Sequence, residues 1–324
     1  MEKRILYIIP NKGVGGVERL HEYLNDTCEF ANVEFLELSE SKQSVLPYMF
    51  SLLRICRYLI KKRPTHIIGS LWRVHLAMVV LRIYLKFEYI PFYHSLKSRS
   101  CIDDRISRLA YNSSDRIIYD SDATSKRFNN LGKQVRVTSL FMPKSDYKRI
   151  SGNPSKLSFV YVGRVAKVKN LEESLKFLNV YKELTGLEIR FDIYGPLEYN
   201  LSLDDYSFAR FCGALAQEDV LSVILGYDVF LQTSEVEGFA MTAKESLRAG
   251  QFCVLTSVGD LANYQSDKMF LTYKSIQETA RDLNELSLEE ITQYQENAVQ
   301  RFVDSDTLLT DFKKIIDEFT VSKL

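Results

Sequence analysis

Short apolar runs alternate with longer amphipathic stretches along the first half of the chain. The apolar runs predict strands at Arg4–Ile9, Val33–Leu38, Thr65–Gly69, Tyr89–Tyr93, Asp115–Tyr119 and Gln134–Ser139. The stretches between them predict helices at Val17–Cys28, Val45–Lys62, Arg73–Lys86, Asp103–Asn112 and Ala123–Leu131. Strands and helices that alternate in this way are typical of a parallel sheet with helices on both faces.

A polar segment at residues 145–155, which ends in Gly-Asn-Pro-Ser, predicts a linker, and the same alternation restarts after it. The second set of predicted strands is Leu157–Val162, Glu188–Tyr194, Phe208–Cys212, Asp228–Gln232, Phe252–Leu255 and Lys268–Leu271. The second set of predicted helices is Asn170–Leu184, Gln217–Leu225, Met241–Ala249, Ile276–Leu286, Leu288–Arg301 and Asp306–Phe319.

This organisation predicts an α/β protein of two Rossmann-like, doubly wound domains that face each other across a central cleft. We place the domains at residues 1–150 and 151–324, and we expect the last helix, near residues 306–320, to pack back on the N-terminal domain. Ligands of such sheets bind outside the carboxyl ends of the strands, so the loops at those ends are the first places to search for a site.

Composition excludes several classes of protein. Apolar residues make up 46% and charged residues 26% of the 324 residues, which excludes a disordered chain. No apolar run reaches the length of about 18 residues that a membrane-spanning helix needs. The five cysteines are odd in number and widely spaced, and they form no C-x-x-C pair, so neither a disulfide framework nor a cysteine zinc site is expected. We therefore expect a cytoplasmic protein.

Charge is distributed unevenly although the formal net charge is zero. Residues 1–150 hold 25 Lys and Arg against 15 Asp and Glu, whereas residues 151–324 hold 17 against 27. One predicted helix carries a cluster of basic residues, Arg54, Arg57, Lys61, Lys62 and Arg63, with the apolar residues Leu52, Leu53, Ile55, Leu59 and Ile60 between them. Such a helix favours an anionic membrane surface, at the cytoplasmic face of the inner membrane. The alternatives are an apolar face packed in the core and basic residues that are simply solvated. Nucleic acid is disfavoured, since no binding motif or continuous basic track occurs.

The first predicted strand is followed by a glycine-rich turn that contains Gly13, Gly15 and Gly16. Such a turn lets the backbone approach a ligand and points helix N–H groups at an anion. Position 18 is glutamate rather than glycine, which excludes the dinucleotide fingerprint, and no Walker A sequence is present. A plain tight turn remains the alternative.

The second domain opens with a similar strand-to-helix loop that adds positive charge. Gly163 and Arg164 follow the strand, and Lys167 and Lys169 come just before the next helix. Arg164 and Lys169 can converge on one group, and a guanidinium fork together with an ammonium suits a diphosphate. The alternative is a solvated basic loop.

The segment from Ser234 to Gly250 combines a loop carboxylate with the start of a helix. Glu237 lies in the loop, Gly238 lies where the helix begins, and Glu245 falls inside the helix. The amides of residues 238–240 are free donors if the helix starts there. A carboxylate can accept hydrogen bonds from two vicinal hydroxyls of a sugar or ribose. The alternative is that Glu245 caps or pairs inside the domain.

Two D-x-D triplets were considered as metal ligands, Asp120-Ser121-Asp122 and Asp304-Ser305-Asp306. Each precedes a predicted helix, where Ser or Asp is a good N-cap, and we interpret both as caps. No metal is expected.

The motifs together resemble those of retaining glycosyltransferases of the GT-B fold, family four, also called glycosyl transferases group 1. The resemblance rests on Gly15-Gly16-Val17-Glu18, on Val162-Gly163-Arg164 with Lys169-Asn170, on Asp192-Ile193-Tyr194-Gly195-Pro196, and on Glu237 and Glu245 with seven residues between them. It covers nearly the whole chain and is most specific in the second domain. Ala240 departs from the pattern because it replaces the usual glycine, and Lys244 precedes the second glutamate.

The resemblance implies a role for each matching residue. Arg164 and Lys169 would neutralise the donor diphosphate, Glu237 would bind donor sugar hydroxyls, and Glu245 would bind the ribose. The donor would also meet Gly15, Gly16, Tyr194, Gly195, Gly238, Phe239 and Ala240. His94 matches a histidine that such enzymes keep near the sugar, so the catalytic set is Glu237, His94, Arg164 and Lys169. Lys97 and Arg99 are expected to bind the acceptor, whereas His21, His66 and His75 are expected to be structural.

The implied activity is transfer of a hexosyl or N-acetylhexosaminyl group, with retention, from a nucleotide sugar such as a UDP-sugar. The expected acceptor is a sugar hydroxyl of a glycan or a polyprenyl-diphosphate-linked lipid in surface polysaccharide synthesis, and no cofactor or metal is expected. Two alternatives remain open: a non-catalytic GT-B subunit that binds a nucleotide sugar, and a GT-B epimerase or phosphorylase.

Overall fold

The structure is a computed structural model, and it describes residues 4–11, 15–27, 32–38, 45–98, 100–138, 156–302 and 308–320. The chain divides into two compact units. The first unit comprises Met1–Met142 together with Thr307–Leu324, and the second comprises Pro143–Asp306. The predicted linker at residues 145–155 and the triplet at residues 304–306 lie outside the described residues.

The first unit is built on a parallel six-stranded sheet in the order β2-β1-β3-β4-β5-β6. Its strands are β1 (Ile5–Ile9), β2 (Val33–Glu37), β3 (His66–Ser70), β4 (Glu88–Tyr93), β5 (Arg116–Tyr119) and β6 (Gln134–Val137). Its helices are α1 (Gly16–Thr27), α2 (Val45–Lys62), α3 (Trp72–Leu81), α4 (Cys101–Asn112), α5 (Asp122–Ser125) and the C-terminal α11 (Leu308–Thr320).

Helices cover both faces of this sheet because side chains alternate along each buried strand. Leu6 and Ile8 of β1 join an apolar cluster with residues of α2, α3 and α4. Tyr7 points to the other face, where its ring contacts His21 of α1 and Phe312 of α11. The C-terminal helix therefore completes the core of the first unit.

The second unit repeats the design with a parallel sheet in the order β12-β11-β10-β7-β8-β9. Its strands are β7 (Lys156–Val162), β8 (Glu188–Tyr194), β9 (Ala209–Gly213), β10 (Val229–Gln232), β11 (Cys253–Thr256) and β12 (Leu271–Tyr273). Its helices are α6 (Leu171–Thr185), α7 (Val220–Leu225), α8 (Met241–Arg248), α9 (Ile276–Glu285) and α10 (Leu288–Arg301), with short 3-10 helices at Lys167–Lys169, Gln217–Asp219 and Gly259–Asp267. The predicted α/β class with two parallel sheets is confirmed.

Several predicted boundaries are wrong for local physical reasons. Helix α5 ends at Ser125 rather than Leu131, because the Asn130 side-chain amide donates to the Ser125 carbonyl at 2.6 Å and closes the helix. Helix α3 ends at Leu81 and continues as a turn. The 3-10 helix at Gly259–Asp267 was not predicted, and it ends at Lys268 in the left-handed region (φ 48°), which delays the last strand by three residues.

Candidate functional site

Loops from four strands of the second unit are bonded to one another at the carboxyl end of its sheet. The Val165 amide donates to the Pro196 carbonyl at 2.9 Å, and the Glu235 amide donates to the Val168 carbonyl at 3.0 Å. The Asp260 amide donates to the Gly238 carbonyl, also at 3.0 Å. The sequence motifs around Arg164, Gly195 and Glu237 therefore belong to one connected edge, where parallel sheets bind ligands.

Two glycines allow these loops to approach so closely. A Cβ on Gly195, which has φ +135°, would lie 1.8 Å from the Gly163 carbonyl oxygen. A Cβ on Gly259, which has φ +61°, would lie 2.2 Å from the Glu237 carbonyl oxygen. Only glycine tolerates both the positive φ and the lack of space, so these positions fix the shape of the edge.

Lys169 and Glu237 form an ion pair across two of the loops. Lys169 Nζ donates to Glu237 Oε1 at 2.5 Å, and the side chains are only 15% and 8% exposed. Lys169 ends a 3-10 turn, after which Asn170 adopts the left-handed conformation (φ 52°) and α6 begins. The Thr233 hydroxyl donates to the Asn170 carbonyl at 2.8 Å, so the loop that carries Lys169 is attached to the end of β10.

Arg164 is held by a carboxylate that the sequence analysis did not single out. Its Nη1 donates to both oxygens of Glu198, at 3.0 and 2.9 Å. The Tyr161 hydroxyl donates to the Arg164 carbonyl at 2.9 Å. Burial raises the pKa of Tyr161, and the nearby Glu237 carboxylate raises it further. Arg164 and Lys169 are thus both paired with glutamates.

The N-terminus of α8 is supported by a buried cation. Ala240, the N-cap, has φ 57° and ψ 53°, the left-handed conformation that explains why the family pattern usually has glycine there. Lys244 is 1% exposed, lies with Nζ 3.6 Å from the centre of the Phe239 ring, and donates to Asp260. A buried ammonium needs such a partner. Lys244 and Asp260 therefore fix the loop that carries Glu237.

Glu245 lies in the second turn of α8 and is 7% exposed. With Glu237 it gives two carboxylates on a loop-helix segment of nine residues. Carboxylates in such a place can accept from sugar or ribose hydroxyls, while the cations of the neighbouring loop suit a diphosphate.

The first unit holds a chain of buried polar side chains at the carboxyl ends of its strands. The Tyr7 and Ser70 hydroxyls are 3.0 Å apart, and Ser70 Oγ lies 2.9 Å from His94 Nε2. His94 Nδ1 lies 3.6 Å from Asp120 Oδ2, and both side chains are 5% exposed or less. His94 Nε2 is thus bonded to Ser70, whereas the buried Nδ1 has no hydrogen-bond partner among the described residues and faces the Asp120 carboxylate. Neither Ser70 nor Asp120 was predicted as a neighbour of His94.

The D-x-D triplet at residues 120–122 behaves as predicted. Ser121 Oγ accepts from the Thr124 amide at 3.1 Å and is the N-cap of α5. Asp120 itself turns towards His94, as described above. Across the described residues, no group of three or more His, Cys, Asp and Glu side chains is arranged to hold a metal ion.

Backbone strain marks the residue after Ser70. Leu71 has φ 70° and ψ 151°, a region used almost only by glycine, at the point where β3 gives way to α3. Such a conformation costs about 1–3 kcal/mol and persists only where the surroundings impose it. The strained turn holds the Ser70 side chain between Tyr7 and His94.

The remaining predicted site residues have other surroundings. The Tyr194 hydroxyl lies 3.1 Å from the Tyr227 hydroxyl, which in turn donates to Asp192 at 2.5 Å. Burial raises the pKa of Asp192, but hydrogen bonds from Arg190, Tyr227 and Arg210 lower it below its usual value overall. Tyr194 therefore belongs to a polar cluster within its own sheet.

The glycine loop and the acceptor residues of the first unit are described only in part. Gly16 begins α1, and a Cβ on Gly15 would lie 2.3 Å from Glu18 Oε2. Lys97 is exposed. Arg99 and residues 12–14 lie outside the described residues. His21, His66 and His75 are buried, and burial lowers the pKa of His75 to about 3.

Comparison of the fold with solved structures defines its class. The chain matches HepE (Alr3699) of Anabaena in complex with UDP-glucose with a TM-score of 0.77 at 13% identity, covering 98% of this chain and 100% of that one. It matches sucrose-phosphate synthase of Thermosynechococcus elongatus with a TM-score of 0.75 at 13% identity, covering 98% of this chain and 99% of that one. The fold is GT-B.

The sequence of the second unit is similar to one known family. Residues 144–301, just under half of the chain, match the family model described as glycosyl transferases group 1. This match contains Arg164, Lys169, Glu237 and Glu245. No curated protein matches the chain. The second unit is thus similar to glycosyl transferases group 1 in sequence as well as in fold.

Proposed function

We propose that the protein is a retaining glycosyltransferase that moves a hexosyl or N-acetylhexosaminyl group from a UDP-sugar to an acceptor hydroxyl. The observation that carries the proposal is the Lys169–Glu237 ion pair at 2.5 Å, at the carboxyl end of the second sheet and beside the start of α8. The match of this unit to glycosyl transferases group 1 supports it, as does the likeness to HepE, whose structure contains UDP-glucose.

Leaving-group stabilisation follows from the two cations. Breaking the anomeric bond places negative charge on the diphosphate, and preorganised cations stabilise that charge. Arg164 and Lys169 are paired with Glu198 and Glu237 before the donor arrives. We infer that the diphosphate displaces both carboxylates, and that Glu237, once released, accepts hydrogen bonds from sugar hydroxyls.

Retention is assigned to attack on the same face of the sugar, assisted by the departing phosphate. Glu245 binds the ribose hydroxyls in this scheme. The two cations supply the charge for which other transferases use a metal, so activity is expected to survive chelation by EDTA. A covalent sugar adduct on Glu237 would overturn this assignment.

The acceptor is proposed to be a glycan or a polyprenyl-diphosphate-linked sugar in surface polysaccharide synthesis, bound on the cytoplasmic side of the inner membrane. Lys97 is exposed three residues after His94 and is suited to contact an acceptor phosphate. Arg99 is assigned the same role from the sequence alone.

Binding and slow hydrolysis of the donor test the proposal without an acceptor. UDP should raise the melting temperature more than ADP or GDP does, because a ligand of the folded state stabilises it. UDP-glucose or UDP-N-acetylglucosamine should then release UDP slowly in the presence of EDTA. No shift with any nucleotide would contradict the proposal. A shift without UDP release would favour a non-catalytic nucleotide-sugar-binding subunit.

A further inference from the structure

Helix α2 exposes an apolar and basic stripe on the side that faces away from the sheet. Ile55 and Leu59 are buried in the core cluster of the first unit. Leu53 and Ile60, seven residues apart, are 58% and 53% exposed. Arg57 and Lys61 are exposed on the same stripe, because residues at spacings of three, four and seven share one face of a helix. Some apolar residues of α2 therefore pack in the core, whereas Leu53 and Ile60 face solvent.

The neighbouring helices continue this surface. Helices α2, α3 and α4 all contribute to one apolar cluster on the same face of the sheet, so their outer sides form a single layer. Nine large apolar side chains are exposed among the described residues of the first unit, and seven of them lie on this layer or on the turn after α3. They are Leu53, Ile60, Val80, Ile83, Tyr84, Ile102 and Leu109. Ile83 and Tyr84 are the most exposed of them, at 73% and 80%.

Charge on the α2 and α3 part of this layer has one sign, whereas α4 carries Asp103 and Asp104, of which Asp104 is paired with Arg108. Residues 41–87, which include α2, α3 and the following turn, contain no Asp or Glu. The same residues contain nine Lys and Arg: Lys42, Arg54, Arg57, Lys61, Lys62, Arg63, Arg73, Arg82 and Lys86. Exposed apolar side chains that are grouped on one layer and surrounded by polar residues are typical of a binding face.

We propose that the outer layer formed by α2, α3 and α4 docks on an anionic lipid bilayer. Apolar side chains such as Ile83 and Tyr84 would enter the boundary between headgroups and acyl chains, while Arg57 and Lys61 contact lipid phosphates. The positive charge of Arg57, Lys61 and their neighbours complements the negative charge of an anionic bilayer. A second copy of the chain would bring like charges together, which opposes self-association through this face.

We call the outer layer formed by α2, α3 and α4 the docking surface. Its biological role rests on the proposed function, since docking would bring the enzyme to a lipid-linked acceptor. Binding to lipid is nevertheless measured without donor or acceptor. Failure of vesicle binding and failure of UDP release are therefore separate results.

Vesicle flotation of the full chain tests the proposal. Vesicles of phosphatidylglycerol and phosphatidylcholine in equal amounts should bind the protein at 50 mM salt. Vesicles of phosphatidylcholine alone should bind it at least tenfold more weakly, and 500 mM salt should weaken anionic binding by about tenfold or more, because salt screens the charges. Equal binding to both vesicle types, or no binding to either, would overturn the proposal.

Paired variants locate the binding face. The double variant Arg57→Gln with Lys61→Gln should lower the partition coefficient about thirtyfold, since each basic residue near an anionic surface contributes about five- to sixfold. Ile83→Ser with Tyr84→Ser should lower it about tenfold. The matched controls are Lys176→Gln with Lys313→Gln and Leu184→Ser with Leu288→Ser, which remove the same charge or apolar groups from exposed positions elsewhere.

The controls decide the outcome. They should bind vesicles within twofold of the unchanged protein, and circular dichroism should show that all four variants are folded. Weakening by the docking-surface variants alone supports the proposal. Binding by those variants at the unchanged level, or equal weakening by the controls, would show that lipid contacts lie elsewhere.

Discussion

The two units share a parallel six-stranded sheet but differ in the polar chemistry that they carry. The second unit gathers ion pairs at the carboxyl end of its sheet, Lys169 with Glu237 and Arg164 with Glu198. The first unit holds all four histidines, His21, His66, His75 and His94, and its polar chain is almost wholly buried. One architecture thus carries a cluster of ion pairs at the candidate ligand site of one unit and a buried, hydrogen-bonded cluster of polar side chains in the other.

The same difference appears in what each unit shares with known proteins. The family model matches residues 144–301, which is nearly the whole of the second unit, and it matches no part of the first unit. The proposed function requires the second unit to bind a diphosphate and a ribose with cations and carboxylates at fixed spacings, which is the kind of pattern that a family model can match. A surface that contacts lipid or glycan needs only charge and exposed apolar area, which many sequences provide.

The largest expected effect is on the rate of donor hydrolysis, when a cation is removed from the ion pairs of the second unit. Lys169→Ala should lower the rate of donor hydrolysis about 100-fold, because one preorganised contact to a leaving group contributes about 3 kcal/mol. Lys167→Ala is the matched control, since Lys167 lies in the same turn and is exposed. Steady-state UDP release measures both variants. A rate for Lys169→Ala within twofold of that for Lys167→Ala would remove Lys169 from the site.

Acid should lower the folding stability of the first unit through its histidines, since every histidine of the chain lies in that unit. Burial lowers the pKa of His75 to about 3, whereas an unfolded histidine has a pKa of about 6.5. The unfolded state therefore binds a proton that the folded state refuses, and stability falls as the pH drops below about 6.5. At pH 5 the loss from His75 alone is about 2 kcal/mol.

Fluorescence of the single tryptophan measures this loss in the first unit. Trp72 begins α3, three residues before His75, so its emission in urea reports the unfolding of the first unit. His75→Gln should flatten the decline in stability between pH 7 and pH 5 by about 2 kcal/mol. An unchanged pH profile in this variant would show that other groups cause the acid sensitivity.

The sequence predicted the strands and the motif loops well, because both are local patterns. The buried strand β1 is a continuous apolar run, and Lys169 and Glu237 each follow a strand end. Contacts between distant segments could not be predicted in this way. Glu198 meets Arg164 across 34 residues, and Asp120 meets His94 across 26, without any spacing that would pair them. The predicted helix ends were wrong for a related reason. The side chain of Asn130, which lies in a later turn, closes α5.

A double-mutant cycle sharpens the description of the packed site in the first unit. Asp120→Asn and His94→Gln should each destabilise the first unit, and their effects should be non-additive by about 1 kcal/mol, because the two side chains face each other at 3.6 Å. Trp72 fluorescence in urea gives the four stabilities. Asp122→Asn is the control, since Asp122 is exposed in the same triplet and should be additive with His94→Gln. Additivity in both cycles would mean that Asp120 and His94 do not interact.

The smallest expected effect concerns the glutamate that holds Arg164 before the donor binds. The Arg164–Glu198 pair is 33% and 41% exposed, and pairs of this kind contribute only about 0.2–1 kcal/mol. Glu198→Gln removes that competition, so the KM for a UDP-sugar should fall by about two- to fivefold while kcat changes little. Glu172→Gln is a suitable control because Glu172 is an exposed carboxylate close to Glu198 that accepts a hydrogen bond from Tyr199 rather than from Arg164. A KM that rises in Glu198→Gln would show instead that Glu198 orients the guanidinium for the diphosphate, and the second unit would then be preorganised by its carboxylates rather than blocked by them.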